Sequence, residues 1–262
     1  MSKYSLQQIK SAYIQKKDWE RQFPISYFLF RPISFYVTCL VLSVTNSPSK
    51  VAWCGFVIGL GGCTSLLFLS TLTIWPGLLL LIIYAVSDAV DGNIARVTRN
   101  VTYYGKYLDG VIGNIIEGSY FFCLGLGLYQ TPGDSYFLNS LLVIERNNSI
   151  IIILASIIVS GRLFSIIVEG SYDVKTIQKQ NDEGIFKENH LQATIATSSF
   201  RKNIWFLMYT NLNAFNLQLI ILSLCAVLNI IDLFLLFFSA YYITRFFATL
   251  IFFTYRAQDR LS

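Results

Sequence analysis

Four carboxylates are the residues of this 262-residue sequence best suited to chemistry. Asp88 and Asp91 lie three residues apart, Asp109 follows, and Glu117 stands two turns beyond Asp109. Carboxylates within apolar segments are costly to bury, so each is a candidate for function. Three neighbouring aspartates repel one another unless a cation lies between them. Hard oxygen ligands suit Mg²⁺ or Mn²⁺, which in turn suit a substrate that carries phosphate.

Small and basic residues accompany these aspartates. Asp88, Gly92 and Ala95 fall on one face of a helix. Together with Gly105, the small residues leave room for a bulky anion beside the backbone. Arg96 offers a planar fork that can bind a phosphate oxygen. The pattern therefore predicts an anion next to a divalent cation.

Two other interpretations of the carboxylates remain open. They could form ion pairs that serve packing, with Arg96, Arg99 and Lys106 as partners. They could also line an ion path in a transporter or channel. Against a path, they gather at one end of their helices, and no pair of broken helices marks a site at the bilayer midplane.

The composition indicates which elements must position these residues. The chain is 54% hydrophobic and 13% charged, whereas globular proteins carry roughly 25% charged residues. This excludes a disordered chain and a secreted disulfide scaffold. A net charge of +5, dispersed along the chain, also excludes a nucleic-acid-binding domain. The five cysteines form no CxxC pair, so neither zinc nor structural disulfides are expected.

Apolar runs of about 20 residues recur, and each can cross a membrane as a helix. The pattern predicts an all-α membrane protein with six transmembrane helices, preceded by an amphipathic interfacial helix over 33–45. We expect residues 1–48 to form the N-terminus with this helix, and 49–258 to form the membrane domain with a long polar loop over 170–202. The six predicted spans are 50–71, 75–97, 105–129, 149–169, 203–228 and 232–255.

Lysine and arginine residues predict the orientation. Sixteen lie on one side of this topology, in the N-terminus, the second loop, the long loop and the C-terminus. The opposite side has only Arg146. Because cytoplasmic loops carry the excess of basic residues, a multi-pass protein with both termini in the cytoplasm is expected.

The aspartate motif resembles the signature of the CDP-alcohol phosphotransferase (phosphatidyltransferase) family. That signature reads DxxDGxxAR, then eight or nine residues, then GxxxDxxxD. Seven of its eight fixed positions match Asp88-x2-Asp91-Gly92-x2-Ala95-Arg96-x8-Gly105-x3-Asp109. Family members also resemble the predicted architecture, with an interfacial helix followed by six spans.

The resemblance implies that an alcohol, or a phosphorylated alcohol, displaces CMP from a CDP-linked donor with the help of two divalent metals, Mg²⁺ or Mn²⁺. It implies membrane lipid as a partner and a homodimer; no nucleic-acid partner is expected. The implied metal ligands are Asp88, Asp91 and Asp109. The residues implied to contact the CDP moiety are Gly92, Ala95, Arg96 and Gly105.

The last aspartate of the family signature is replaced by Gly113. In the family this residue is a metal ligand and the base for the acceptor hydroxyl. Glu117 could substitute, because it lies one turn further on the same face and helix side chains lean toward the N-terminus. Alternatively, an anionic acceptor needs no strong base, or the site binds CDP and metal without turnover. Glu117 could also be paired with Arg162.

Basic residues of the later spans are candidates for binding an acceptor phosphate. Arg162 is similar in placement to such residues in relatives, and Arg245 lies equally deep. Arg201 and Lys202 could complete the pocket, or could extend to the interface as anchors of the topology.

Overall fold

The structure is a computed structural model that describes residues 4–70, 72–131, 149–182 and 210–261. Within these ranges the chain is helical and contains no strand. The helices are α1 (Leu6–Glu20), a π-helix (Ser26–Phe30), α2 (Arg31–Val41), α3 (Pro48–Leu67), α4 (Ile74–Val97), α5 (Tyr103–Gln130), α6 (Ser149–Asp182), α7 (Phe215–Val227) and α8 (Ile231–Leu261).

Five of these helices, α3, α4, α5, α6 and α8, are apolar and long enough to cross a membrane. The prediction of an all-α, multi-pass membrane protein is therefore confirmed. Helix α7 has 13 residues, which span only about 20 Å. The fifth predicted span, 203–228, begins before α7, and its residues 203–209 lie outside the described part of the chain.

The N-terminal region contains more helix than the sequence pattern indicated. The predicted interfacial helix corresponds to α2, which begins at Arg31 and ends at Val41. Helix α1 precedes it and starts with a capping box: the Ser5 hydroxyl accepts from the Gln8 amide, and the Gln8 side chain accepts from the Ser5 amide. This Ser-x-x-Gln pattern is a sequence signal for a helix start, so α1 could have been predicted.

Helix α6 continues beyond the predicted span and makes the start of the predicted polar loop helical, as far as Asp182. The extension packs on α8. The rings of Tyr172 and Phe253 lie 5.1 Å apart, and the Lys179 ammonium donates to the Arg260 carbonyl over 2.9 Å. Partners on α8 thus stabilise a polar segment that hydropathy alone assigns to a loop. The remainder of that loop lies outside the described residues.

Glycines allow α3, α4 and α5 to pack closely. The Gly62 backbone lies against Leu81 of α4, and the Gly127 backbone lies against the Leu66 carbonyl of α3. A side chain at either glycine would overlap its neighbour. Small residues at such positions let membrane helices approach, so these contacts fix α4 and α5, which carry the candidate site.

Gly127→Ala is expected to lower the stability by about 1–3 kcal/mol, because the new methyl group would overlap the Leu66 carbonyl and force α3 and α5 apart. Thermal unfolding of the purified protein in detergent measures the effect. Gly118→Ala is the matched control, since nothing described lies within 4 Å of a Cβ at Gly118 on the same helix. Equal midpoints for the two variants would contradict this account of the packing.

Candidate functional site

The aspartates of α4 and α5 line one open cleft. A link of residues 98–102 reverses the chain between the two helices, so the end of α4 faces the start of α5. The cleft has a volume of about 200 Å³ including its open mouth. Its lining residues are Ala52, Tyr84, Ser87, Asp88, Asp91, Asp109 and Ile112.

The cleft aspartates are accessible to a solute. Asp88 and Asp109 are exposed, whereas Asp91 is half-buried. Asp88 and Asp109 face each other across this one cleft, from α4 and α5. Neighbouring carboxylates repel each other unless a proton or a cation lies between them. The donor set of hard oxygens therefore suits a divalent cation.

The aspartates alone do not form a complete coordination sphere for a metal ion. Within the ranges that the structure describes, no group of three or more His, Cys, Asp or Glu side chains is close enough to hold a metal ion. A cation bound in the cleft would need further ligands, and phosphate oxygens of a substrate are suitable ones.

Gly105 has a structural role at the start of α5. Its amide donates to the Thr102 hydroxyl over 3.0 Å, which caps the helix. A Cβ at Gly105 would lie 3.2 Å from that hydroxyl. The cap positions the first turn of α5, and Asp109 follows one turn later.

Arg96 folds back over Gly92. A Cβ at Gly92 would lie 3.3 Å from both terminal nitrogens of Arg96, so the glycine makes room for the guanidinium. Arg96 donates to the side-chain oxygen Oδ1 of Asn93 over 2.9 Å. In the described part of the chain, its buried Nε has no hydrogen-bond partner. Ala95 is half-buried in the same turn.

Asn93 joins α4 to the N-terminal region, and sequence reasoning did not identify this contact. Arg31 donates to Asn93 over 3.0 Å and forms a buried ion pair with Glu20 of α1. The Tyr13 hydroxyl also donates to Glu20. Helix α1 is thus attached beside Arg96 through a buried polar network. Isolated polar residues in a basic N-terminus give no sequence signal for such a contact.

The pH dependence of this attachment follows from Glu20. Burial alone would raise the pKa of Glu20, but the hydrogen bond and charge of Arg31, with smaller effects of the Tyr13 hydroxyl and the Lys16 charge, outweigh burial, and the pKa lies below its ordinary value. A carboxyl with a lowered pKa stabilises the native state above its unfolded pKa, about 4.3 for Glu. That contribution is lost as the pH falls through the lowered pKa.

We therefore expect amide hydrogens of α1 to exchange faster below about pH 4 than at pH 6, after correction for intrinsic rates. Glu20→Gln leaves the Arg31 charge buried without its anion, and it should loosen α1 by about 3 kcal/mol at pH 6. Exchange in α1 that is independent of pH and unaffected by Glu20→Gln would refute this role of the ion pair.

Glu117 lies apart from the cleft lining. It forms an ion pair with Arg162 of α6, which also donates to the Tyr242 hydroxyl over 3.3 Å. Arg245 donates to Glu169 over 3.2 Å. The structure thus brings Glu117 and Arg162 together. The candidate residues Arg201 and Lys202 lie outside the described ranges.

Gly113 stands between the two groups, one turn after Asp109 and one turn before Glu117. Among the described residues, no heavy atom lies within 4 Å of a Cβ built at Gly113. A β-carbon at this position would therefore meet no neighbouring helix or side chain.

The sequence matches a known protein family. The model of the CDP-alcohol phosphatidyltransferase family matches residues 33–181, which is more than half of the chain. The matched range contains every aspartate of the cleft, and it also contains Arg96, Gly113 and Glu117. A search of curated proteins gives no match.

Proposed function

The chain belongs to the CDP-alcohol phosphatidyltransferase family, and we propose that it catalyses transfer from a CDP-linked donor to an alcohol or a phosphorylated alcohol, with release of CMP. The family is a transferase family that moves a phosphatidyl or phosphoryl-alcohol group from a CDP-alcohol. The observation that carries the proposal is the cleft in which the motif residues Asp88, Asp91 and Asp109 meet.

In this proposal the three aspartates supply ligands for Mg²⁺ or Mn²⁺, and phosphate oxygens of the donor complete the coordination. The family is generally metal-dependent, and the exposed oxygens of Asp88 and Asp109 suit a hard cation. A divalent cation at this position would neutralise the charge that develops on the diphosphate as CMP leaves. The carboxylates would hold the cation, and the donor diphosphate would be oriented beside them.

Gly92, Ala95, Arg96 and Gly105 form the donor side of the site in this proposal. The unpartnered Nε of Arg96 is a free donor for a phosphate oxygen. A side chain at position 92 would press on the guanidinium and narrow this space. Gly105 keeps the backbone at the start of α5 close to the cleft.

Glu117, Arg162 and Arg245 form the acceptor side. Arg162 is nearly buried, and a guanidinium in such a position can bind an acceptor phosphate bidentately. We assign the role of substitute base to Glu117. It is the carboxylate one turn after position 113, where glycine replaces the family aspartate. Its ion pair with Arg162 holds the Glu117 side chain within the helix bundle.

A second candidate function is binding of CDP and metal without turnover. Two observations favour it: Gly113 removes the family base, and Glu117 is already engaged by Arg162. A carboxylate held by a guanidinium is a weaker base than a free one. The two functions share the donor site and differ in the acceptor step alone.

The excess of basic residues on one side leads us to propose that the cleft opens at the cytoplasmic face, with both termini in the cytoplasm. The N-terminal helices α1 and α2 lie at the same end of α4 as the cleft, because Arg31 contacts Asn93 and the Ala89 carbonyl. A lipid-linked donor or acceptor would reach the cleft from that leaflet. We also propose a homodimer, by analogy with the family.

CMP release tests the proposal. Purified full-length protein in detergent is given Mg²⁺ or Mn²⁺, CDP-diacylglycerol or a soluble CDP-alcohol, and a panel of alcohols and phosphorylated alcohols. Metal-dependent CMP release that requires an acceptor supports the transferase. Metal-dependent CDP binding without release on any acceptor supports the second candidate. If the protein neither binds CDP nor releases CMP, the proposed donor site is wrong.

A further inference from the structure

Helix α1 carries a lysine on its inward face. Ile9, Tyr13, Lys16 and Glu20 follow a spacing of four, three and four residues, which places them on one helical face. Ile9, Tyr13 and Glu20 are buried against the rest of the protein, so this face points inward. Lys16 lies on it and is half-buried, whereas Lys10 is exposed.

Hydrogen bonds connect the face that carries Lys16 to Arg96. Glu20, on that face, binds Arg31, and Arg31 and Arg96 both donate to the side-chain oxygen of Asn93. Burial and the positive charges of Arg96 and Arg31 lower the pKa of Lys16, whereas Glu20 and Asp88 act against that shift. Lys16 and Arg96 are therefore two neighbouring cations within electrostatic range of the cleft aspartates.

Neither cation is neutralised at close range. Arg31 is fully engaged by Glu20 and Asn93, which fixes α1 in place. Among the described residues, the Lys16 ammonium forms no hydrogen bond or ion pair, and its neighbour is the Trp19 ring at 5.4 Å. Arg96 has the unpartnered Nε noted above. Two like charges held together with free donors make a site for an anion.

We propose that Lys16 is a second phosphate-binding residue of this site, and that it binds the diphosphate of the CDP-linked donor together with Arg96. This inference rests on the proposed function. A diphosphate has enough oxygens to contact both sides of the cleft. On one side its oxygens would bind a cation held by the aspartates, and on the other side they would accept hydrogen bonds from Lys16 and Arg96. Lys16 lies outside residues 33–181, so α1 adds a wall to the donor site that the family match does not include.

The test measures CDP affinity of the full-length protein in detergent with Mn²⁺, together with KM for the donor and kcat in CMP release. Lys16→Gln is expected to weaken CDP binding and raise donor KM by about 10- to 100-fold, as for loss of one hydrogen bond to a charged group. Lys16→Arg, which keeps the charge, should restore most of the affinity. Lys10→Gln on the outer face is the matched control and should behave as wild type.

Wild-type CDP affinity and donor KM in Lys16→Gln would overturn the inference while leaving the proposed function intact. Equal loss in Lys16→Gln and Lys16→Arg, with faster hydrogen exchange throughout α1, would show a structural role and would also overturn it. A wild-type protein that neither binds CDP nor releases CMP refutes the proposed function itself. The two failures are therefore distinguishable.

Discussion

Asp88→Asn and Asp109→Asn are each expected to reduce metal-dependent CMP release by at least about a hundredfold. Asparagine preserves the size of the side chain but removes the charge that would hold a divalent cation. Asp88 and Asp109 are the two exposed aspartates that line the cleft, one on each helix. Losing either one weakens the site for the cation on which diphosphate displacement depends.

The same variants should be more stable than wild type when no divalent cation is present. Replacing one of two facing carboxyl groups by a neutral amide removes the repulsion between them. That pair of charges favours cation binding but destabilises the fold. Thermal unfolding in detergent, with chelator and with Mn²⁺, measures this. Wild type should gain stability from Mn²⁺, whereas the two variants should gain little.

Asp259→Asn is the control for these variants, because Asp259 is exposed near the end of α8. It should release CMP and respond to Mn²⁺ as wild type does. If Asp88→Asn lost activity and also unfolded at a lower temperature with chelator present, the aspartate would be a packing residue, and the metal role would have to be withdrawn.

The positions of α3, α4 and α5 could be predicted from the sequence because each is a single apolar run bounded by polar or turn residues. The meeting of Asp91 and Asp109 could also be predicted. A link of five residues, 98–102, joins their helices, and a link this short leaves the two helix ends side by side.

The contacts that attach α1 could not be predicted in the same way. Glu20, Arg31 and Asn93 are distant in sequence, and their hydrogen bonds depend on how α1 and α2 fold against α4. Hydropathy does not indicate which polar residues will form hydrogen bonds with each other, because each of the three is simply a polar residue in the sequence. The C-terminal extension of α6 could not be predicted for a related reason. It packs on α8, which is distant in sequence.

Glu117 shows where sequence reasoning identifies a residue without settling its role. Its position one turn after Gly113 favoured a substitute base, and the alternative was an ion pair with Arg162. The structure contains the ion pair, which is compatible with a charged carboxylate near the acceptor and also with a purely structural contact. Only a measurement of turnover separates these roles, and position 113 offers one.

Gly113→Asp is expected to increase CMP release by at least about a hundredfold if the missing carboxylate limits the acceptor step, since a general base contributes about 10²–10⁴. The change restores the last position of the family signature. Nothing described lies within 4 Å of a Cβ at this position, so the backbone can remain where it is. The new carboxylate would stand one turn from Asp109, on the side of Glu117.

Gly113→Asn is the matched control, because it adds the same volume without a base and should leave CMP release at the wild-type level. Combination with Glu117→Gln then assigns the base. If Glu117 acts in place of the family aspartate, Glu117→Gln should abolish release, and Gly113→Asp should restore it in the double variant. If Gly113→Asp raises release from zero while Glu117→Gln alone changes nothing, the wild-type protein binds CDP without turnover. Activity that neither substitution alters would instead require an acceptor that is already anionic and needs no base.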